Sequence, residues 1–318
     1  TISRMQHMLD YSLINTGRMM KERKPMNESE RRAIITLPII ILIAAGVAWA
    51  GSQGGYTVFG IPIFTLCVAL AFIIQWVDFI PAFIKQTEKF YDLVGSITYL
   101  SVTWIAVLLS PVVDARAWLL VGIVSIWAVR LGTFLFRRVR AAGEDRRFRD
   151  VKPSFVRFLI YWTVQGLWVS LTLAAALAAI TSMTRRDLGI FALVGFLLWL
   201  LGFGIELIAD RQKSKFRADP QNANKFINTG LWSWSRHPNY FGEILLWIGV
   251  AIIAIPALSG WQWLTLISPI FVAILLTRVS GIPILEAYAD KKWGGQAEYE
   301  DYKAKTSVLI PRPPSAKK

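Results

Sequence analysis

Two acidic residues, Glu206 and Asp210, stand four apart at the end of an apolar run. On a helix that spacing puts both carboxylates on one face. A carboxylate at membrane depth is costly and faces a polar cavity or a partner. The plainest alternative makes Asp210 an interfacial cap paired with Arg211. A basic stretch follows with Arg211, Lys213, Lys215, Arg217 and Lys225, each of which also fits a simple topology signal. Next comes Gly230-Leu231-Trp232-Ser233-Trp234-Ser235-Arg236-His237-Pro238-Asn239-Tyr240-Phe241-Gly242-Glu243. Pro238 suits the first turn of a helix. A helix N-terminus with Arg236 beside it is an anion site. Glu243 then falls about a turn inside the membrane, where a lone carboxylate needs a hydrogen-bonding partner.

Composition says what must hold these groups in place. Of 318 residues, 54% are hydrophobic and 18% charged, whereas a soluble domain carries about 25% charge. Stretches long enough to cross a bilayer run near 33–51, 57–79, 93–111, 115–136, 155–180, 188–209, 240–258 and 261–278. In hydrocarbon every backbone polar group needs an internal partner, so these are helices. The expected fold is all-α, a polytopic membrane bundle of about eight transmembrane helices, with seven possible. The 57–84 stretch is too long for one straight span and contains Asp78 and Pro81, so it should bend or emerge early. The expected division is a cytoplasmic or interfacial segment over 1–32, a transmembrane domain over 33–310 and a disordered tail over 311–318. Met5, Met8, Leu9, Leu13 and Ile14 would share one face of an interfacial helix.

With the N-terminus in the cytoplasm, the inside segments 1–32, 85–92, 137–154, 210–239 and 279–318 carry 29 of the 35 Lys and Arg residues. That split follows the positive-inside rule and puts both termini in the cytoplasm. It also explains the net charge of +14 without nucleic acid, because the basic residues sit between apolar runs. One cysteine, Cys67, and two histidines leave no disulfide framework and no multi-histidine metal centre, so no metal is expected. No cleavable signal peptide is visible at the start.

The run Arg236-His237-Pro238-Asn239-Tyr240-x-Gly242-Glu243 resembles a C-terminal signature shared by steroid 5α-reductases, sterol reductases and isoprenylcysteine carboxyl methyltransferases. The bacterial steroid 5α-reductase-like branch is the closer resemblance, over roughly 85–313. It includes Glu88-Lys89-Phe90-Tyr91-Asp92-Leu93-x-Gly95, Gly143-Glu144-Asp145-x-Arg147-Phe148, Ala209-Asp210-Arg211-Gln212-Lys213, Phe216-Arg217, Tyr299-x-x-Tyr302-Lys303 and Ile310-Pro311. The resemblance implies a fold of seven or so helices that binds NADPH in a pocket open to the cytoplasm. Asp210, Arg217, Asn239 and Glu243 match the family's cofactor positions. Lys225 stands where that family has arginine, and Glu206 where animal members have asparagine. Arg211, Arg236, His237, Tyr240 and Tyr302 complete the expected cofactor set. The family's catalytic set is a Gln-Glu pair plus a Tyr. Gln86 and Glu88 are the nearest pair, and the segment expected to bear the Tyr runs through Trp127 and Arg130, so Tyr91 or Tyr99 would substitute.

The reaction implied is hydride transfer from NADPH to the β-carbon of a steroid-like or other lipid enone, a step of lipid metabolism at a bacterial inner membrane. Charge developing on the carbonyl oxygen needs a donor, worth about 3–4 kcal/mol in other enzymes. Glu88 and Tyr91 are the expected donors, with Glu88 and Asp92 sharing a helical face, while the plain alternative pairs Glu88 with Lys85 or Lys89. A rim of Arg137, Arg138, Arg147, Arg211, Arg217, Lys225 and Arg236 would meet the cofactor phosphates. The lipophilic substrate would enter from the bilayer, with membrane lipids the only other partner and no obligate protein partner. The alternative is an S-adenosylmethionine-dependent methyltransferase of a lipid or prenylated thiol. Against it, that branch tends to carry paired glutamates, and here Glu286 follows Leu285 alone. A third reading, a non-catalytic membrane subunit, requires no cofactor.

Overall fold

Long apolar runs fold as helices because only a helix satisfies its own backbone without water. The computed structural model describes residues 28–145 and 148–313. The helix read over Met5 to Ile14, Arg147 and the tail residues 314–318 lie outside that range. Among the described residues, eight helices are long and apolar enough to cross a bilayer, the number read from the sequence. The first seven are α1 (Glu28–Ser52), α2 (Ile63–Ile84), α3 (Tyr91–Leu109), α4 (Ala115–Ala142), α5 (Phe155–Thr181), α6 (Ile190–Ala218) and α7 (Pro238–Ala254). The eighth is irregular, with a 3-10 stretch over Gly260–Leu266, α8 (Ile267–Ile274), a π turn over Leu275–Val279 and α9 (Ile282–Trp293). A short helix, α10 (Ala297–Lys305), follows.

Four boundaries differ from the sequence reading. α1 begins at Glu28, inside the segment read as 1–32. Residues 57–84 are not one helix. Thr57–Val58 and Ile61–Pro62 form a small antiparallel hairpin, and α2 then runs unbroken to Ile84. Pro81 lies in the last turn of α2, where its missing N–H and its ring disturb little remaining helix. α6 continues through 210–218, read from sequence as a loop, because Arg, Lys and Gln are good helix formers and cations suit a helix C-terminus. α3 starts only at Tyr91, so Glu88 precedes it and shares no helical face with Asp92.

The C-terminal half of α5 is buried on all sides, and its run Leu173–Ile180 has almost no exposed surface. A helix apolar all round belongs at the centre of a bundle. α6 and α7 pack closely through two reciprocal glycine pairs. A Cβ on Gly195 would lie 2.6 Å from the Gly249 carbonyl oxygen, and one on Gly249 2.5 Å from that of Gly195. Gly202 and Gly242 repeat the arrangement at 2.5 and 2.6 Å. Small residues let membrane helices approach to backbone contact. The packing sets the C-terminal half of α6 directly against the start of α7, with Glu206 beside Gly242.

A buried carboxylate cluster at one end of the bundle

Glu206, Asp210, Lys213 and Arg217 follow one another on α6 at steps of four, three and four residues. They therefore line one face, acids deeper and cations towards the helix end. Arg130 reaches across from α4. Its guanidinium donates to the Glu206 carboxylate and, at 2.5 Å, to Asp210 Oδ2. Asn239, in the first turn of α7, donates its amide to Asp210 Oδ1 at 3.2 Å. Glu243 lies one turn deeper on α7, near enough for its charge to act on Glu206, Asp210 and Tyr99. Three carboxylates thus surround one guanidinium, and Glu206 Oε2 has no hydrogen-bond partner among the described residues.

Towards the end of α6 the sign reverses. Lys213 and Arg217 lie close enough to repel each other, and Arg138 of α4 acts on both. Among the described residues neither Lys213 nor Arg217 has a carboxylate within salt-bridge distance. Lys213 sits 4.3 Å over the Trp232 ring. Trp232 is itself fixed by its indole N–H, which donates to Ala209 O at 3.0 Å. Arg211 and Lys225 are exposed.

The connector before α7 is held by the chain's end. Phe226 packs against Trp293, Tyr299 and Tyr302. Tyr302 donates to Trp232 O at 2.7 Å. Arg236 N donates to Ser307 O at 2.8 Å. These contacts set His237 as the residue before α7, with Pro238 opening the helix as its type requires. His237 Nε2 is 2.7 Å from Glu286 Oε1, and Arg236 reaches Glu286 Oε2 at 3.1 Å. Glu286 therefore serves two cations. Tyr240 stacks on the His237 ring at 5.7 Å. Burial pushes the His237 imidazole below its usual pKa, with Glu286 opposing the shift.

A second group of polar atoms lies on the apolar side of Glu243. Tyr99, Trp127 and Trp247 form an aromatic cluster, with centroids 5.0 Å apart for Tyr99–Trp127 and 4.9 Å for Trp127–Trp247. The Tyr99 hydroxyl faces Thr172 of α5, without a well-formed hydrogen bond between them. The Trp127 and Trp247 indole N–H groups also lack partners among the described residues. Buried donors in a low-dielectric interior are costly unless something accepts from them.

The residues expected to be catalytic are engaged elsewhere. Glu88 accepts from Asp145 N at 2.9 Å and from Lys152 Nζ at 2.5 Å. The Tyr91 hydroxyl donates to Tyr161 O at 2.9 Å. Gln86 adopts a positive φ of 49° and donates to Phe83 O at 2.7 Å. Glu206, Asp210, Asn239 and Glu243 do come together. Sequence reasoning missed Arg130 as their counter-ion. The signal was present, because an arginine inside an apolar run needs an acidic partner as much as Glu206 needs a basic one.

Fold and site together define a multi-pass helical membrane protein with a charged cluster buried near one end. Residues 78–306 match the family described as "Protein of unknown function (DUF1295)", and the chain belongs to this steroid 5α-reductase-like family. An uncharacterized protein of Schizosaccharomyces pombe is 24% identical over 216 residues, 57% of this chain and 63% of that one. A 3-oxo-5-alpha-steroid 4-dehydrogenase 1 of Rattus norvegicus is 30% identical over 120 residues, 37% of this chain and 40% of its own length. The steroid 5-alpha-reductase DET2 of Gossypium hirsutum is 27% identical over 119 residues, 37% of this chain and 41% of its own. The alignments thus span about two fifths of the two steroid-reducing relatives. No solved structure matches significantly.

Proposed function

We propose that this protein is an NADPH-dependent reductase of the carbon–carbon double bond of lipid enones. The observation that carries the reading is the α6 face. There Lys213 and Arg217 stand beside the Arg130–Glu206–Asp210 cluster with no carboxylate of the described residues within salt-bridge distance, although Asp210 is near enough to act on Lys213. Cations at a helix end suit phosphates, and arginine suits the 2′-phosphate that distinguishes NADPH. Glu206 Oε2 and Glu243 retain acceptor capacity for amide and hydroxyl donors. The steroid-reducing names of two relatives support the same reaction class.

In this reading NADPH supplies the hydride, and the chain binds, orients and polarises. Arg138, Lys213 and Arg217 hold the phosphates, while Asn239, Asp210 and Glu243 orient the polar part of the cofactor. We place the Tyr99 hydroxyl and the indole N–H groups of Trp127 and Trp247 at the enone carbonyl. All three are buried and make no well-formed hydrogen bond among the described residues, and the Tyr99 hydroxyl, which faces Thr172, is near enough to feel the Glu243 charge. A donor placed at a developing enolate oxygen is worth about 3–4 kcal/mol. Glu88 and Tyr91 remain a competing pair for this role, although their polar atoms already have partners. The basic split between inside and outside segments supports a cluster open to the cytoplasm.

The test is thermal stabilisation of the purified chain by NADPH, NADH and S-adenosylmethionine. NADPH should stabilise most, and Arg217→Ala should weaken its binding by roughly 1.5–3 kcal/mol, the value of a charge-assisted hydrogen bond. A shift with S-adenosylmethionine alone would overturn the reading in favour of a methyltransferase.

A further inference from the structure

The connector before α7 rests on one particular turn of α6. Leu231 N donates to Gln212 Oε1 at 3.0 Å, and the Trp232 indole N–H donates to Ala209 O at 3.0 Å. Gly230 has a φ of 61°, and a Cβ there would lie 2.5 Å from the Gln212 side chain, so glycine lets the connector come this close. In an α-helix the carbonyl of Ala209 also accepts from the N–H of Lys213, four residues on. A helical side chain leans back over the turn before it. Lys213 therefore reaches back onto the turn where Trp232 is docked, and its ammonium lies 4.3 Å from the centre of that ring. Asp210, one turn back, is the alternative seat, and its charge acts on Lys213. Each of its oxygens already accepts a hydrogen bond, Oδ2 from Arg130 and Oδ1 from Asn239. The ring is held in place. Trp232 is 2% exposed, and its carbonyl accepts from the Tyr302 hydroxyl of α10 at 2.7 Å.

We propose that Trp232 is a positioning residue for the cofactor phosphates and acts through Lys213, an inference that rests on the NADPH reading above. The ring face seats the ammonium by a cation–π contact, outside the Arg130–Asp210 cluster. The lysine then remains a cation available to a phosphate instead of a further partner for the carboxylates. A compact ammonium on a flexible stem needs such a seat, because it lacks the built-in geometry of a guanidinium. Tyr302, expected from the sequence at the cofactor, contributes at one remove by fixing the Trp232 backbone. The last helix of the chain thus helps to set cofactor affinity without meeting the cofactor.

The test pairs a cofactor isotherm with a measurement that needs no cofactor. In the full chain with lysines carbon-labelled at Cε, the Lys213 Hε resonance, identified by its loss in Lys213→Met, should be shifted upfield by the ring. The shift should vanish in Trp232→Leu and persist in Trp232→Phe. NADPH binding by calorimetry should weaken about threefold to thirtyfold in Trp232→Leu, the range of one cation–π contact. Trp232→Phe, which keeps a ring face, should recover most of that loss. In turnover the loss should appear in KM for NADPH, with kcat retained at saturation. In a Lys213→Met background neither Trp232→Leu nor Tyr302→Phe should cost further affinity, whereas a general loosening of the fold would cost affinity in both backgrounds. A loss that persists undiminished in Lys213→Met, or an unshifted Lys213 resonance, would overturn the proposal while leaving NADPH binding in place. An unaltered chain that binds no NADPH would overturn the reductase reading and this proposal together.

Discussion

Gly202 of α6 and Gly242 of α7 meet backbone to backbone, each where a Cβ on one would lie within 2.6 Å of the other's carbonyl oxygen. Backbone cannot move aside as a flexible side chain can, so any side chain here must push α6 and α7 apart. Gly202→Ala and Gly242→Ala should each destabilise the protein by about 1–3 kcal/mol, the usual cost of overpacking. They should also weaken cofactor binding, because Glu206 on α6 and Asn239 on α7 share the site across this contact. Melting temperature and NADPH affinity measured on both variants check this. Unchanged values would mean that the glycines do not set the spacing.

Arg130 neutralises two buried acids at once, and removing it strands them. Arg130→Met should cost about 3–5 kcal/mol, as for other broken buried pairs. Adding Glu206→Gln and Asp210→Asn to Arg130→Met should restore stability without restoring NADPH binding, because a neutral cluster folds but cannot recognise the cofactor. Denaturation in detergent and a binding isotherm on the two variants separate these effects. Arg130→Lys should bind weakly, since a single ammonium cannot span both carboxylates as a guanidinium fork does.

Much of this architecture was legible in the sequence. The eight spans were, because charge-poor runs and clustered Lys and Arg are strong signals. The shared face of Glu206 and Asp210 was as well, because four-residue spacing is a local property of a helix. The partner of that face was not, since Arg130 lies about eighty residues away and only packing brings α4 across to α6. The face's extension to Arg217 was hidden because a charged stretch beyond an apolar run reads equally well as a loop. The glycines at 195, 202, 242 and 249 were visible as letters, but nothing local says that one pair meets the other. Tyr99 was named only as one of two tyrosines that could substitute for the family's, and its place among Trp127, Trp247 and Thr172 emerges only when α3, α4, α5 and α7 are assembled.

Tyr99 and Glu88 make opposite predictions for turnover. Tyr99→Phe removes a buried donor beside Glu243, so turnover should fall about a hundredfold or more while NADPH affinity survives, as with other oxyanion donors. Glu88→Gln breaks the ion pair with Lys152 and weakens the contact with Asp145 N. It should lower melting temperature more than the rate of the chemical step. Single-turnover NADPH oxidation on both variants decides between them. A large loss in Glu88→Gln with none in Tyr99→Phe would return the polarising role to Glu88.

The burial of His237 makes stability depend on pH. Burial, partly opposed by Glu286, holds the folded-state pKa of His237 below its model-peptide value of 6.5. The unfolded chain therefore binds the proton more readily. The stabilising contribution is complete above about pH 6.5 and is lost as pH falls towards the folded pKa. The slope in that window is at most about 1.4 kcal/mol per pH unit for one proton. Comparing melting temperatures of the unaltered chain and His237→Asn across pH 5–8 isolates this group from the carboxylates. His237→Asn should show a flatter profile, and an identical profile would remove His237 as the source.

The most direct test of the account as a whole follows a single hydride. The purified chain is mixed with NADPH deuterated on the transferring face of nicotinamide C4 and with a 3-oxo-Δ4 steroid, and the steroid is analysed by mass spectrometry and NMR. The account predicts a saturated ketone carrying deuterium at the former β-carbon, formed with NADPH and much more slowly with NADH. It also predicts loss of that product in Arg217→Ala at low cofactor concentration and its recovery at high concentration. An unreduced steroid across a panel of steroid and linear lipid enones, together with methyl transfer from S-adenosylmethionine to a lipid thiol, would contradict it.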